Sequence, residues 1–187
     1  MSLQSLFRRL RPNGKRRVAV IGLDCAAPEL LFEHWADELP NLKMLRQRGL
    51  YGKLESVIPA ITVPAWSCMV SGKDPGTLGV YGFRNRKDHS YNGLSVANSS
   101  AIHEARLWDI LSKHEKQSII LGVPGTYPPT AIKGDMVSCF LTPSTEGEYT
   151  YPTSLKHNIE GWVDGYQTDV KGFRTDDKGG CSNRSTT

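Results

Sequence analysis

Ile58-Pro59-Ala60-Ile61-Thr62-Val63-Pro64-Ala65-Trp66-Ser67-Cys68-Met69-Val70-Ser71-Gly72 reads as a loop that turns into a helix. An extended, β-branched run meets a hydroxyl residue and a proline, and an apolar segment follows, closed by glycine. Thr62 is expected near the N-cap and Pro64 in the first turn, where a missing N–H removes no helical hydrogen bond. The start of a helix offers N–H groups that the helix itself does not use, together with the positive end of its dipole. Phosphate binds readily at such a corner. A hydroxyl placed there either caps the helix or attacks a phosphorus atom. For an isolated Thr-x-Pro capping is the simpler reading, so the rest of the chain has to decide.

Upstream, Arg17-Val18-Ala19-Val20-Ile21-Gly22-Leu23 is a continuous apolar run of the kind found in buried parallel strands, and Asp24 stands at its carboxyl end. Ligands of open α/β sheets gather at that end, although a lone aspartate before Pro28 also suits a turn or a cap. Pro28 opens a helix in which Leu31, Trp35 and Leu39 share one face. Leu42 and Leu45 carry a second helix after Pro40, with Gly49 at its end. Lys53 to Ile58 is a strand leading to Thr62. Downstream, Lys73 to Phe83 is rich in glycine and turn residues, and residues 84–100 are polar and weakly patterned. Ala105 to Glu115 reads as a helix. Ser118 to Val123 and Met136 to Leu141 read as strands ending at Pro124-Gly125 and Thr142-Pro143-Ser144. The alternation predicts an α/β fold with a mostly parallel sheet flanked by helices.

The chain has 187 residues with 39% hydrophobic and 22% charged content, the composition of an ordinary globular domain. Of its 23 basic residues, Arg8, Arg9, Arg11, Lys15, Arg16 and Arg17 crowd the first seventeen positions. The remaining 17 face 19 acidic residues, so the body is slightly acidic and no nucleic-acid partner is expected. Residues 1–16 are expected to be a basic flexible leader, 17–178 the folded domain, and 179–187 a disordered, unrelated tail. No apolar run approaches the roughly 20 residues of a membrane helix. Cys25, Cys68, Cys139 and Cys181 form no C-x-x-C pair, which suits free thiols in a reducing cytoplasm. Oligomeric state is not encoded in any pattern we recognise.

Asp24 and Thr62 suggest one chemistry if their loops share a sheet edge. A carboxylate there holds a divalent cation. A metal-bound hydroxyl has a lowered pKa, which turns an inert threonine into a nucleophile. One aspartate does not build a metal site, and His34, His89, His103, His114 and His157 show no ligand spacing such as H-x-x-x-H.

These residues resemble a known family. Val20-Ile21-Gly22-Leu23-Asp24-Cys25-Ala26-Ala27-Pro28-Glu29-Leu30-Leu31 is similar to the first-strand motif of the type I phosphodiesterase/nucleotide pyrophosphatase family, within the alkaline phosphatase superfamily. Pro40-Asn41-Leu42 with Arg48-Gly49, and Ile58 to Gly72 followed by Pro75-Gly76 and Gly79, are similar to its next segments. So are Val123-Pro124-Gly125-Thr126-Tyr127-Pro128-Pro129 and Leu141-Thr142-Pro143-Ser144. Each motif is weak alone; together, in order, they cover about residues 17 to 178.

The resemblance implies an alkaline-phosphatase-like fold, here incomplete, and a hydrolase of a small phosphorylated substrate with two divalent metal ions, usually zinc. Asp24 would be a metal ligand. Thr62 would be the catalytic nucleophile, would also touch a metal, and would pass through a phosphothreonine intermediate. The remaining Asp and His ligands of the family lie in a portion beyond this chain, so an N-terminal part of a longer enzyme is expected. Three positions depart from the family pattern: Ala65 where asparagine is frequent, Leu78 where histidine is common, and Cys25 where glycine is common. Thr62-Val63-Pro64-Ala65-Trp66 lacks the arginine of the sulfatases.

Other readings compete with this one. A non-catalytic α/β module would use the Thr62 helix start only to bind an anion. A dinucleotide-binding domain would need G-x-x-G after Gly22. A haloacid-dehalogenase-like phosphatase would need a second aspartate where Ala26 stands.

Overall fold

A computed structural model describes residues 17–88, 90 and 92–169. The expected leader (1–16) and tail (179–187) lie outside the described residues. The chain divides into two compact units, Met1–Leu54 and Glu55–Thr187.

In the first unit the predicted helices form. The first, α1 (Leu30–His34), is wound as a π-helix, and α2 (Pro40–Arg48) begins on its proline and is capped at Gly49. Arg46 joins them. Its guanidinium lies 4.9 Å from the Phe32 ring centre and 4.5 Å from that of Tyr51, and it donates to the Phe32 carbonyl at 3.2 Å. Such cation–π contacts at a half-exposed site contribute about 0.5–1 kcal/mol each. Between residues 17 and 54 no residue is buried.

The second unit carries the cores. Helix α3 (Thr62–Ser71) ends at Gly72, which adopts the left-handed conformation (φ 68°) that only glycine takes without strain. Helix α4 (Pro75–Leu78) is capped by Asp74, whose carboxylate accepts from the Thr77 N–H and hydroxyl at 3.0 and 2.7 Å. An antiparallel ribbon follows, β1 (Arg84–Arg86) with β2 (Leu94–Val96). Helix α5 (Leu107–Lys113) starts with a capping box in which Asp109 accepts from both the backbone N–H and the Nε of Arg106, at 2.8 and 3.0 Å. Strands β3 (Ser118–Leu121), β4 (Gly134–Val137) and β5 (Thr150–Tyr151) form a three-stranded sheet, and α6 (Ser154–Trp162) follows.

Among the described residues the architecture is therefore mixed α/β, with several helices and two small sheets. The mostly parallel arrangement expected from the sequence is not what the described residues adopt. Strand β3 runs parallel to β4, but β5 is antiparallel to it and the ribbon is antiparallel as well. Val18–Leu23 and Lys53–Ile58 are not strands. A parallel strand needs cover on both faces, and here Val18 and Ile58 are 88% and 90% exposed.

Three apolar clusters hold the second unit. Val63 and Cys68 of α3 pack with Leu78, Val80, Ala97 and Ile102. Trp108 of α5 packs with Ile132 and Met136 under the sheet, and Val137 packs with Tyr149 and Ile159 on α6. No helix among the described residues is long and apolar enough to cross a membrane.

Candidate active site

The site is built on α3. Ile61 is extended (φ −116°, ψ 146°) and occupies the N-cap, so Thr62 is the first helical residue rather than the cap. Pro64 follows within the first turn as expected. The helix itself supplies no acceptor for the N–H groups of Thr62 and Val63, and Pro64 has none to offer. The first intrahelical bond comes from Ala65, whose N–H donates to the Ile61 carbonyl at 3.0 Å.

Burial fixes how α3 is turned. Val63, Pro64, Ser67 and Cys68 are buried, while Thr62, Ala65 and Trp66 are half-buried and Met69 is 51% exposed. The Val123–Pro129 motif backs the buried side. Gly125 (φ 83°) passes so close that a side-chain carbon there would sit 3.7 Å from the Ser67 hydroxyl. In the same loop the Thr126 hydroxyl, fully buried, donates to the Val123 carbonyl at 2.6 Å. Thr62 is thus carried on a helix anchored along its opposite face, and the residue is half-buried. Cys68 is no rival nucleophile. Burial, with the Asp74 charge adding, pushes its thiol upward and keeps it protonated.

Asp24 lies in an exposed turn of the first unit. Cys25 beside it has φ 57°, the left-handed region that favours glycine, which explains why a glycine suits this position. The Cys25 thiol donates to Asp24 Oδ2 at 3.5 Å, and that bond and the carboxylate charge raise its pKa. Asp24 and Thr62 thus belong to different units.

His34, His103, His114 and His157 are all exposed, and His157 lies 3.7 Å from Glu160 within α6. His89 lies outside the described residues. Among the described residues no group of three or more His, Cys, Asp or Glu side chains is placed to hold a metal ion. Within the glycine-rich stretch from Lys73 to Phe83, residues Pro75–Leu78 fold into α4 behind the acidic cap Asp74.

One feature went unread in the sequence. Thr62, Trp66 and Met69 recur at the spacing of a single helix face, with Ala65 between them. On this face Met69 is exposed, and Thr62, Ala65 and Trp66 are half-buried.

A family model described as type I phosphodiesterase / nucleotide pyrophosphatase matches residues 18–181 of the chain. No curated protein and no solved structure matches it.

Proposed function

This chain belongs to the type I phosphodiesterase/nucleotide pyrophosphatase family, and from that premise we propose that it is phosphoester-hydrolase machinery in which Thr62 is the nucleophile. The observation that carries the reading is the place of Thr62. It is the first residue of a ten-residue helix, half-buried, inside the matched region.

In this reading a phosphoryl oxygen of a small phosphate ester or pyrophosphate meets the N–H groups of Thr62 and Val63. The positive end of the α3 dipole favours the charge that develops there. The Thr62 oxygen forms a bond to phosphorus as the bond to the leaving oxygen breaks. The threonine proton ends on the departing group or on solvent. Water then cleaves the phosphothreonine, releasing phosphate or a monoester and restoring the hydroxyl.

Two divalent ions, zinc by the resemblance, would lower the pKa of the Thr62 hydroxyl when bound. Asp24 and Thr62 would each contribute a donor. The described residues do not complete a ligand set around either of them, so the transfer is assigned here only to Thr62 and its neighbouring amides. The other ligands are proposed to come from a longer form of the protein. Cys25, Cys68 and Cys139 are free thiols, which fits a cytoplasmic location.

The test uses bis-p-nitrophenyl phosphate with added zinc, read by colour and by mass spectrometry of tryptic peptides. Negligible turnover is expected from this chain. In a longer form carrying the remaining ligands, a phosphorylated Thr62 peptide is expected, and Thr62→Ala is expected to lower turnover by about 10⁴-fold or more. Turnover unchanged by Thr62→Ala in that form would rule out the assigned nucleophile. Phosphate binding with no phosphopeptide in either form would favour the non-catalytic anion-binding module.

A further inference from the structure

We propose that Asn92 is a site of self-modification. The Gly93 nitrogen attacks its side-chain amide and converts the residue to aspartate and isoaspartate in the turn of the β1–β2 ribbon. The proposal stands apart from the reading of Thr62.

The argument starts from a comparison of asparagines. Attack by the following backbone nitrogen needs a mobile side-chain amide and a successor with little bulk. Asn41 and Asn158 lie inside helices α2 and α6 and precede Leu42 and Ile159. Asn85 accepts from the Tyr81 N–H at 2.8 Å and donates to the Gly82 carbonyl at 3.2 Å. Asn98 accepts from the N–H groups of Ser100 and Ala101 at 2.9 and 3.2 Å, and donates to the Val96 carbonyl at 3.3 Å. Each of these four is therefore held by its own amide or by a helix.

Asn92 differs on every count. It is exposed, and so is Gly93 after it. Gly93 has φ 100° and no β-carbon to crowd the attack. The turn is pinned through other atoms. The Asn92 N–H donates to Ser90 Oγ at 3.2 Å, Ser90 Oγ donates to the Asn92 carbonyl at 3.0 Å, and the Lys87 N–H donates to the Gly93 carbonyl at 3.3 Å. Among the described residues no hydrogen bond engages the Asn92 side-chain amide or the Gly93 N–H. The second Asn-Gly of the sequence, Asn13-Gly14, lies outside the described residues.

The step balances without a co-reactant other than water. The Gly93 nitrogen gives up its proton and bonds to Asn92 Cγ, the bond from Cγ to the side-chain nitrogen breaks, and ammonia leaves. Water then opens the five-membered imide at either carbonyl. One opening gives aspartate. The other gives isoaspartate, which lengthens the main chain by a carbon atom between Ser90 and Gly93. Both add a negative charge. Because the attacking nitrogen has to lose a proton, the rate rises with pH.

The experiment incubates the full chain at neutral and at mildly alkaline pH and reads tryptic peptides by mass spectrometry over days. Cleavage after Lys87 and Arg106 places Asn92 and Asn98 on one peptide, so Asn98 is the internal reference. Conversion at Asn92 is expected to be at least about tenfold faster than at Asn98, to quicken at the higher pH, and to give two products of equal mass. Asn92→Gln, at an exposed position, is expected to abolish it, because the ring it would have to form is larger. In the isoaspartate fraction the Lys87 amide is expected to exchange faster than in the unconverted chain, with the β3–β4 amides unchanged. No conversion at Asn92, conversion no faster than at Asn98, or aspartate without isoaspartate would overturn the proposal.

Discussion

Tyr149 shows how single side chains set the limits of this fold. It is fully buried, its ring stacks on Tyr166 at 5.1 Å with an interplanar angle of 2°, and Lys156 Nζ lies 5.5 Å from its centre. Its hydroxyl has no hydrogen-bond partner among the described residues. A buried polar group in that state costs stability, and removing it is neutral or favourable. Tyr149→Phe keeps the stack and the cation contact, so at neutral pH it should match the wild type or exceed it by about 1 kcal/mol in urea unfolding. Burial, with Glu160 and Tyr166 adding, holds the phenol above its ordinary value. The folded state then keeps its proton at a pH where the unfolded chain releases it. The associated stability is intact below about pH 10 and falls as the pH rises further. The phenylalanine variant should therefore lose stability less steeply above pH 10. A loss of more than about 1.5 kcal/mol at pH 7 would mean that the hydroxyl does have a partner.

At the scale of elements, β3 and β4 meet more closely than any side chain allows. Gly134 opens β4 with φ 138°, and a β-carbon there would fall on the Ser118 carbonyl. The parallel pairing therefore depends on the absence of one carbon atom. Gly134→Ala has to push the strands apart or give up the Ser118–Lys133 end of the ladder, where the Ser118 N–H donates at 3.0 Å. We expect a loss of about 3 kcal/mol, from backbone strain and clash together, seen as a lower urea midpoint with the slope unchanged. A midpoint within error of the wild type would show that the two strands are not in this register. The same contrast separates what the sequence disclosed from what it hid. Helices α2 and α3 were legible because a proline start, a glycine stop and apolar spacing agreed with one another, and α5 from the spacing of Leu107, Trp108 and Leu111 alone. The ribbon β1–β2 was not, because Arg84-Asn85-Arg86 and Leu94-Ser95-Val96 hold too few apolar residues to show a period. Helix α6 could have been found from Leu155, Ile159 and Trp162, which lie at helical spacing. At the candidate site the sequence indicated the start of α3 at Thr62, one residue after the Ile61 N-cap, but set Asp24 at the end of a strand where the structure has an exposed turn. It did not reveal that Cys25 sits in a left-handed conformation, because that property belongs to the backbone and not to the residue type.

For the whole molecule, the division of the chain into two units comes with an unequal division of its core. All three apolar clusters belong to residues after Leu54, whereas Val18 to Leu54 holds no buried residue. The run Val18–Leu23 shows why sequence alone misplaces it. Its composition is that of a strand buried on both faces, yet hydrophobicity states only that a residue gains from cover, not that cover is present. Stability within one chain follows local burial, and segments with few buried contacts open at low free-energy cost. Native-state hydrogen exchange should therefore divide the protein along the same line. Amides of residues 18–54 should exchange with little protection, those of α2 somewhat more slowly than the rest because of their helical bonds and the Arg46 contacts. Amides of β3, β4 and α5, around Met136 and Trp108, should be the slowest and should approach the global unfolding limit. Protection of Val18–Leu23 equal to that of β4 would contradict this picture, because it would require hydrogen-bonded partners and cover for a run that is exposed along its length.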